Sequence, residues 1–423
     1  MKITMVMRWA LAGIALSTAW SAHAQLASDS VPRERTVSRS AEIVEQLTES
    51  RYRLGPIRVR PLFALRDTGY DNNVFGTPDD PVSDWRSTVS SGADLILPFG
   101  SKIYILGVAN PEYTWYKKLP NRRTFGGTYG GSVLGLFNHL SIEAGGTTAK
   151  TVRPVSSEVD QPTQGRRTDA FARAELEIAR RLSFFASAEQ QRQRYEAAPG
   201  DLVGNLSLRQ LERNDTFFRG GVRYKLRSYF DVSLAAETGR SVFVFAPETD
   251  NNTRAVLLGA HYDRPRFFLN LTGGTRRWEP RGPLSTFPKF SSGTGSYYAA
   301  YDLVAPIVVD AYGNRSAAYS LYTGNPFYYE TRNALGLTIS LGTRILLRAF
   351  SEFGSNDYPR AVDGVKRADR VRVLGGGIGY RLYRKAILGF TASSTRYHSN
   401  IDAFTRSTLR FGTTLTFGGD PSR

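Results

Sequence analysis

Cysteine is missing from this 423-residue sequence. Without a thiol the chain can form no disulfide and can offer no thiolate to a metal or substrate, which excludes every thiol-based mechanism. Long apolar runs are also missing after the first two dozen residues, because charged or strongly polar residues interrupt each run before it reaches the roughly 20 residues of a membrane-spanning helix. Beyond its start, the sequence therefore predicts no transmembrane helix.

The first 24 residues have the layout of a secretory signal peptide. Lys2 and Arg8 supply a positive start, Trp9 to Trp20 form an apolar stretch, and Ala22-His23-Ala24 form a small-residue cleavage site before Gln25. The apolar stretch is too short to cross a bilayer as a helix. We therefore expect residues 1–24 to be removed and the protein to leave the cytoplasm.

One pattern fills most of the remaining chain. No linker-like segment divides residues 55–417, where short alternating runs follow one another at nearly even spacing. The 40 glycines, 22 tyrosines and 24 phenylalanines suit strands with aromatic girdles better than a soluble core. Residues 25–54 lack the alternation and are predicted to be a periplasmic N-terminal extension, and residues 418–423 a short C-terminal tail. The expected fold is all-β, a transmembrane antiparallel β-barrel over residues 55–417.

The connections between the runs alternate in length, which predicts the topology. Short turns fall near residues 98–101, 138–139, 180–181, 226–227, 263–265, 305–306, 342–343 and 383–384. Longer polar segments lie near residues 69–83, 117–122, 153–166, 196–208, 245–252, 279–290, 314–326, 355–366 and 397–403. Together these predict 18 strands with both termini at the short-turn end, which is periplasmic in outer-membrane barrels. An error in one hairpin would give 16 strands.

Charged residues that alternate with apolar ones mark the face that we expect to line the lumen. A strand of a membrane barrel shows one face to lipid and the other to the interior, and charges are costly in lipid. The predicted lumen-lining charged residues are Arg173, Glu175, Glu177, Arg219, Arg223, Lys225, Arg348, Glu352, Arg372 and Arg410. They could tune what passes through a channel, or they could pair with one another in a filled lumen.

The balance of charge predicts anionic partners. The chain has 55 basic and 38 acidic residues, a net charge of +17. Lipopolysaccharide phosphates, an acidic polymer and small anions are the candidates, and nucleic acid is not expected. The barrel-assembly machinery is a further expected partner, because the final strand ends on the aromatic Phe417, six residues before the end of the sequence.

Catalytic and metal-binding signals are weak. His139 lies two residues from Ser141, and the run His398-Ser399-Asn400 resembles the residue types of outer-membrane phospholipases without their surrounding motif. The Asp71-Asn72-Asn73 cluster lacks the spacing of a calcium loop and is ordinary turn chemistry. We therefore expect no enzyme, no cofactor and no metal.

One short motif resembles a known family. Gly55 to Pro61, followed by Tyr70-Asp71-Asn72-Asn73-Val74-Phe75, resembles the opening of a family of outer-membrane β-barrel porins found largely in alphaproteobacteria and in exopolysaccharide loci. The motif residues are Tyr70, Asp71, Asn73, Val74 and Phe75. The resemblance implies a large outer-membrane barrel and, for some members, the final conduit for a secreted polysaccharide beside a periplasmic polysaccharide-export protein.

Three functions remain as hypotheses. The first is a conduit for an acidic exopolysaccharide, and the second is a passive porin for small anions. The third, an outer-membrane lipid hydrolase, depends on His139 or His398. The sequence does not separate the first two.

Overall fold

A computed structural model describes residues 52–196, 208–304, 306–383 and 386–418, together with Ile43, Gln46, Leu47 and Ser50. The predicted signal peptide lies outside these residues. So do most of the predicted N-terminal extension and all of the predicted tail after Gly418.

The described residues form one antiparallel sheet of 18 long strands and one short strand. Side chains alternate in polarity along most of them, which favours extended backbone with one face in each environment. The strands are β1 (Tyr52–Leu54), β2 (Ile57–Asp71), β3 (Asp84–Phe99), β4 (Ile103–Tyr116), β5 (Thr124–Leu136), β6 (Leu140–Pro154), β7 (Pro162–Ala179), β8 (Leu182–Glu196), β9 (Arg213–Arg227), β10 (Phe230–Phe243), β11 (Asn251–Arg264), β12 (Phe267–Pro280), β13 (Phe290–Val304), β14 (Ile307–Tyr319), β15 (Phe327–Leu341), β16 (Ile345–Val362), β17 (Val365–Tyr383), β18 (Ala386–Ser399) and β19 (Arg406–Phe417).

The 18 long strands close into a barrel. Each pairs with the next strand along the chain, and β19 pairs with β2, with Phe417 opposite Phe63 and Arg410 opposite Asp71. Closure leaves no unpaired strand edge, which lipid would not tolerate. The predicted 18-stranded antiparallel barrel is confirmed, and the 16-stranded alternative is wrong.

The two ends of the barrel differ in their connections. At the turn end, where Ile57 and Phe417 lie, only two or three residues separate successive strands, at or next to the predicted turns. At the opposite, loop end the connections are residues 72–83, 117–123, 155–161, 197–212, 244–250, 281–289, 320–326, 363–364 and 400–405. Eight of these nine are longer than the turns.

The exception is the β16–β17 hairpin, where the sequence predicts a loop over residues 355–366. The two strands instead continue to a two-residue turn at Asp363 and Gly364, whose φ angles are +50° and +78°. Two successive positive φ angles define the type I′ turn, which an Asp-Gly pair between strands favours. The Asp-Gly signal was therefore present in the sequence, and the predicted long loop is wrong.

Strand pairing also starts earlier than the alternation predicts. The short strand β1 places Tyr52 opposite Val59, so the sheet begins inside the predicted N-terminal extension. It occupies the same edge of β2 that β19 pairs with further along. Among the few described residues before it, Ile43 is helical and buried, and Ser50 donates hydrogen bonds to the carbonyl oxygen of Gln46.

The barrel is apolar outside and polar inside. Directly opposed residues of neighbouring strands face the same side, and on the outer face Leu258, Ile178 and Phe218 have 63%, 62% and 55% of their surface exposed. Buried carboxylates and guanidinium groups instead lie on the inner wall. Such an arrangement suits a barrel surrounded by lipid. No helix among the described residues is long and apolar enough to cross a membrane.

Candidate functional site at the inner wall and the mouth

Nine of the ten predicted lumen-lining residues lie on the inner wall, in alternation with the exposed apolar residues of the outer face: Arg173, Glu175, Glu177, Arg219, Arg223, Lys225, Arg348, Glu352 and Arg410. Arg372 lies on the outer face of β17, in line with exposed Leu374. The neighbouring inner positions hold Val371 and Val373, which pack with Tyr397. The predicted inward position of Arg372 is therefore wrong.

Arginines of the inner wall share carboxylates across intervening strands. Glu237 on β10 accepts from Arg219 Nη2 at 2.6 Å and from Arg276 Nη2 at 2.5 Å. Arg276 reaches Glu237 across β11, where Ala255 stands opposite both residues. A larger residue than alanine would obstruct this contact, so a small side chain permits the bridge.

A similar ion pair across an intervening strand occurs further round the inner wall. Arg348 on β16 donates through Nη1 and Nη2 to the two oxygens of Asp310 on β14, at 3.1 and 3.0 Å. Between them lies Gly336 on β15, directly opposite Asp310. A Cβ added to Gly336 would stand 2.6 Å from an oxygen of Asp310. Glycine here leaves room for the carboxylate that pairs with Arg348.

Two further predicted residues, Arg223 and Arg410, have acidic partners. Arg223 donates to Glu175 at 2.8 Å, and Asp231 lies 3.7 Å from the Arg223 guanidinium. Arg410 donates through Nε to Asp71 at 2.6 Å, across the junction of the first and last barrel strands. The predicted charges are thus largely neutralised by one another or by neighbouring carboxylates.

A buried set extends this pairing towards the loop end. Arg332 on β15 is only 1% exposed and lies 3.4 Å from Glu330 and 3.8 Å from Glu352. Glu352 also accepts a 2.6 Å hydrogen bond from Tyr312 across Ala334, which stands opposite both residues. Two carboxylates around one buried guanidinium make each partner necessary to the others.

The 155–161 connection, here called the crossing segment, folds over the loop-end mouth. Its central residue Glu158 accepts hydrogen bonds from Leu321 N at 2.8 Å, Ser320 Oγ at 3.0 Å and Tyr358 Oη at 3.1 Å, and lies 3.5 Å from Arg367 Nη1. The segment follows β6, whereas Tyr358 is on β16. Nine strands of the 18-stranded barrel lie between β6 and β16 in one direction and seven in the other. The segment therefore meets the opposite side of the mouth.

Other contacts hold the same segment on either side of Glu158. Ser157 Oγ lies 2.9 Å from Tyr328 Oη and donates to Asn356 Oδ1 at 3.1 Å. Asp160 accepts from Arg406 Nε on β19 at 3.0 Å. Together with the Arg367 contact, these bonds attach the crossing segment to four strands that are remote from it in the sequence, β15, β16, β17 and β19.

Apolar and cationic packing fills the space beside the segment. Val159 belongs to a buried cluster with Tyr195 of β8, Leu208 and Leu211 of the short 3₁₀ helix before β9, and Leu321 of the 320–326 connection. Such mutual burial stabilises the inward position of the loops.

Arg367 is enclosed by aromatic rings at the same place. Its guanidinium carbon lies 3.5 Å from the ring centroid of Phe404, 4.5 Å from that of Tyr358 and 5.0 Å from that of Tyr322, and its side chain is 1% exposed. Asp369 pairs with it through two hydrogen bonds, at 3.0 and 2.8 Å. Arg367 therefore keeps one carboxylate whatever the charge on Glu158.

The carboxyl of Glu158 is buried in this arrangement. Burial raises its pKa above the ordinary value of 4.5, and the nearby Arg367 charge and the hydrogen bonds from Leu321, Ser320 and Tyr358 offset that rise only in part. A proton on Glu158 thus favours the packed state of the crossing segment.

The Tyr-Asp-Asn-Asn-Val-Phe motif joins the first and last barrel strands. Asn73 donates to the carbonyl oxygens of Thr77 and Ser407 and accepts from Thr77 N, at 2.8, 3.2 and 3.1 Å. On the outer face Tyr70 stacks on Phe411 with ring centroids 5.3 Å apart. Thr77 belongs to the motif's own loop and Ser407 to β19, so Asn73 fixes both.

The remaining motif residues pack at the same junction. Asp71 accepts from Asn73 N at 3.0 Å as well as from Arg410, Val74 is 1% exposed, and Phe75 lies under the guanidinium of Arg122. These contacts organise the loop and the barrel junction.

His139 and His398 lie at opposite ends of the barrel and do not form one reactive group. His139 lies in a connection at the turn end and His398 on the outer face of β18 near the loop end. Ser399, next to His398, is buried on the inner side, and the side chain of Asn400 is hydrogen-bonded to two backbone groups of β17. Adjacent strand residues face opposite sides, so His398 and Ser399 diverge.

A closed barrel with an apolar outer face and a charged inner wall defines this chain as a transmembrane antiparallel β-barrel of the outer-membrane kind. No protein-family model matches the sequence, and no curated protein matches it. Solved structures to which the barrel is similar include the following three. Acinetobacter baumannii OccAB3 is 12% identical, with 85% of this chain and 99% of that chain covered and a TM-score of 0.49. A BenF-like porin from Pseudomonas fluorescens Pf-5 is 10% identical, with 85% and 98% covered and a TM-score of 0.49. A bacterial polysaccharide outer membrane secretin is 9% identical, with 84% and 97% covered and a TM-score of 0.33.

Sequence reasoning missed the crossing segment and its partners. Residues 153–166 were expected to form one polar loop among nine, and nothing in Ser157, Glu158 or Asp160 indicates a partner on the far side of the barrel. The signal that was available is modest, namely valines at 155 and 159 in an otherwise polar stretch.

Proposed function

We propose that the protein is a passive outer-membrane pore for small polar solutes, with a preference for anions. The observation that supports this function is the crossing segment over the mouth. Glu158 and Asp160 attach this segment to strands that are remote from it. A mouth narrowed by folded chain suits small solutes better than a polymer. The loop end then faces outward from the cell and the turn end, with both termini, faces the periplasm.

The anion preference comes from the turn end. Arg53 stands directly opposite Arg58, and Arg381 also faces inward near the turn end. None of the three has a carboxylate within ion-pair distance among the described residues. Unpaired cations at one entrance attract anions, whereas the paired charges further along the wall contribute little net field.

Planar-bilayer recording tests this function. The purified protein should give a steady conductance, and a salt gradient should give a reversal potential on the anion-selective side. Replacing residues 156–160 by a shorter glycine and serine linker should raise the conductance severalfold. A protein that stays closed with and without the segment, or a cation-selective pore, would contradict the proposal.

Because the chain lacks cysteine, the segment can also be locked in place. In the double variant Asp160→Cys with Arg406→Cys, a short bifunctional thiol reagent should join the two introduced thiols without other labelling. Crosslinking should leave the small conductance unchanged and abolish any transient larger openings. The two single-cysteine variants, treated with the same reagent, are the matched controls.

Export of an acidic exopolysaccharide is the second candidate, and only the motif resemblance favours it. On that proposal, a periplasmic polysaccharide-export protein would dock at the turn end, and the crossing segment would have to leave the mouth. Deleting the gene separates the two candidates. Loss of secreted polymer with unchanged uptake of small solutes would favour export, and the reverse result would favour the diffusion pore.

A further inference from the structure

The outer face of the β17–β18 hairpin carries four basic side chains in two adjacent cross-strand pairs. Arg372 is directly opposite Arg396, and Arg370 is directly opposite His398. All four are exposed. Residues paired in this way have Cβ atoms about 4.5–5.5 Å apart, so the like charges of Arg372 and Arg396 are destabilising.

No carboxylate relieves this repulsion within the described part of the chain. None of the four side chains lies within ion-pair distance of an acidic group there. By register, Asp357 is an outer-face carboxylate in their neighbourhood, but it stands opposite Ala368 and accepts its 3.0 Å hydrogen bond from Ser355. The hairpin therefore presents its cations to its surroundings.

Other outer-face rows of cations differ in this respect. Lys150 stands opposite Arg166, which in turn stands opposite Arg194, but Lys150 pairs with Glu196 at 3.2 Å. Arg254 similarly stands opposite Arg277, and Glu279 lies 2.9 Å from Arg277. The same sheet thus supplies an acidic partner in two places and none on the β17–β18 hairpin.

The position of the four side chains identifies what surrounds them. From Arg372 towards the turn end, the outer positions of β17 hold Leu374, Ile378, Tyr380 and Leu382, all substantially exposed. The ten residue steps from Leu382 to Arg372 rise about 33 Å along the strand, which at a strand tilt of about 40° is about 25 Å along the membrane normal, the height of the apolar band of such barrels. Arg372 and Arg396 therefore stand where the apolar band ends, at the level of the lipid head groups.

We propose that Arg370, Arg372, Arg396 and His398 form a binding site for the phosphate groups of lipopolysaccharide in the outer leaflet. The assignment to that leaflet rests on the proposed orientation, with the loop end outside. Guanidinium groups bind phosphate oxygens in a bidentate manner, and one phosphate between Arg372 and Arg396 converts a repulsive pair into a bridged one. The occupant is a lipid because the cations adjoin the apolar band.

Binding of lipid A to the purified full-length protein in neutral detergent tests this site. The probes are bisphosphorylated lipid A, the same lipid A after enzymatic removal of both phosphates, and inorganic phosphate at equal phosphate concentration. Bisphosphorylated lipid A should bind and raise the unfolding temperature, and the other two should do so far less. If inorganic phosphate stabilises as well as lipid A, the site is not a lipid site and the proposal is overturned.

Two double variants locate the effect. Arg372→Ser with Arg396→Ser should weaken lipid A binding about 30-fold, since each cation near an anionic lipid contributes about a fivefold factor. Arg240→Ser with Arg315→Ser removes the same charge from outer-face positions that stand opposite uncharged residues, and should bind as the natural protein does. An equal loss of lipid A binding in both double variants would overturn the proposed site.

A third variant guards against a folding defect. Arg396→Glu should create a cross-strand ion pair with Arg372 and so keep the barrel stable without lipid, yet abolish the response to bisphosphorylated lipid A. An Arg396→Glu protein that still responds like the natural one would contradict the proposal. The pore function is unaffected by either result, because conductance reports the inner wall.

Discussion

On the inner wall Arg219 and Arg276 share the carboxylate of Glu237, whereas on the outer face Arg372 stands opposite Arg396 with no described carboxylate in reach. The two faces belong to one sheet and use the same residue type. The inner arginines are paired by the protein itself, so the barrel can hold its wall in place without help. The outer arginines are left for ligands from the surroundings.

The difference between paired inner arginines and unpaired outer ones also bears on the interpretation of the net charge of +17. Charges on the inner wall largely cancel, so they order the wall more than they select solutes. Arginines with no carboxylate within ion-pair distance among the described residues lie at the turn-end entrance, such as Arg58, and on the outer face near the loop end, such as Arg372. Net charge alone would have placed the excess of basic groups in the lumen.

The largest expected effect comes from breaking the most buried inner pairing. Arg332→Met leaves Glu330 and Glu352 close together without their shared cation. Breaking a buried ion pair costs about 3–5 kcal/mol, and urea unfolding in detergent should show a loss of that size. Arg332→Lys is the control, since it keeps the charge. A loss below about 1 kcal/mol would show that the inner pairs are as dispensable as surface ones.

Removing the side chain that fixes the barrel junction should have an intermediate effect. Asn73 is 2% exposed, and Asn73→Ala removes its three partly buried hydrogen bonds to Thr77 and Ser407, at a cost of about 1–3 kcal/mol. The matched control is Asn252→Ala on the outer face, whose contact with Arg281 is 3.5 Å long. Equal unfolding midpoints for the two variants would contradict the role assigned to Asn73.

Acidity should tighten the crossing segment. The pKa of Glu158 is raised above 4.5 when the segment is packed. Between pH 4.5 and this raised pKa, the packed state therefore binds a proton more readily than the released state does. The packed state is therefore most stable below about pH 4.5, and its stability falls as the pH rises through the raised pKa of Glu158. We expect channel openings to become more frequent with rising pH.

Glu158→Gln provides the control for that prediction. The amide has the size of the carboxylic acid but does not titrate, so openings of this variant should be insensitive to pH over the same interval. A natural protein whose openings decrease with rising pH would show that the Arg367 charge, and not burial, governs Glu158.

The smallest effect should come from an isolated outer-face arginine. Arg315 donates to Thr331 Oγ1 at 3.2 Å and is exposed. Arg315→Ser should change the free energy of unfolding by less than about 0.5 kcal/mol in urea, as exposed substitutions usually do. A loss as large as that of Arg332→Met would erase the distinction between the two faces.

Local rules made most of the barrel predictable. The period-two alternation and the Gly, Pro, Asn and Asp residues of the connections act over a few residues, so strand number, closure and the short turns followed from the sequence. Even the β16–β17 turn carried a local signal in Asp363-Gly364. The alternation predicts β16 and β17 too short, because the halves of these strands near the loop end are polar on both faces.

The same limit explains the error at Arg372. Within the apolar band, charge marks the inner face, because lipid excludes it from the outer one. Beyond the band, the outside is also polar, so an arginine can face outward while Val371 and Val373 pack inward on Tyr397. Alternation of polar and apolar residues predicts that a strand has two different faces, but it does not by itself identify the face that points into the lumen.

The sequence by itself determined a closed barrel of 18 strands, because alternation and turn chemistry are local. Only the tertiary structure decided which charges meet, since Glu237 and Arg276 approach across Ala255, and Asp310 and Arg348 across β15 beside Gly336. It likewise decided that Glu158 meets Arg367 on the opposite side of the mouth. Those contacts depend on barrel closure, which brings together residues far apart in the chain.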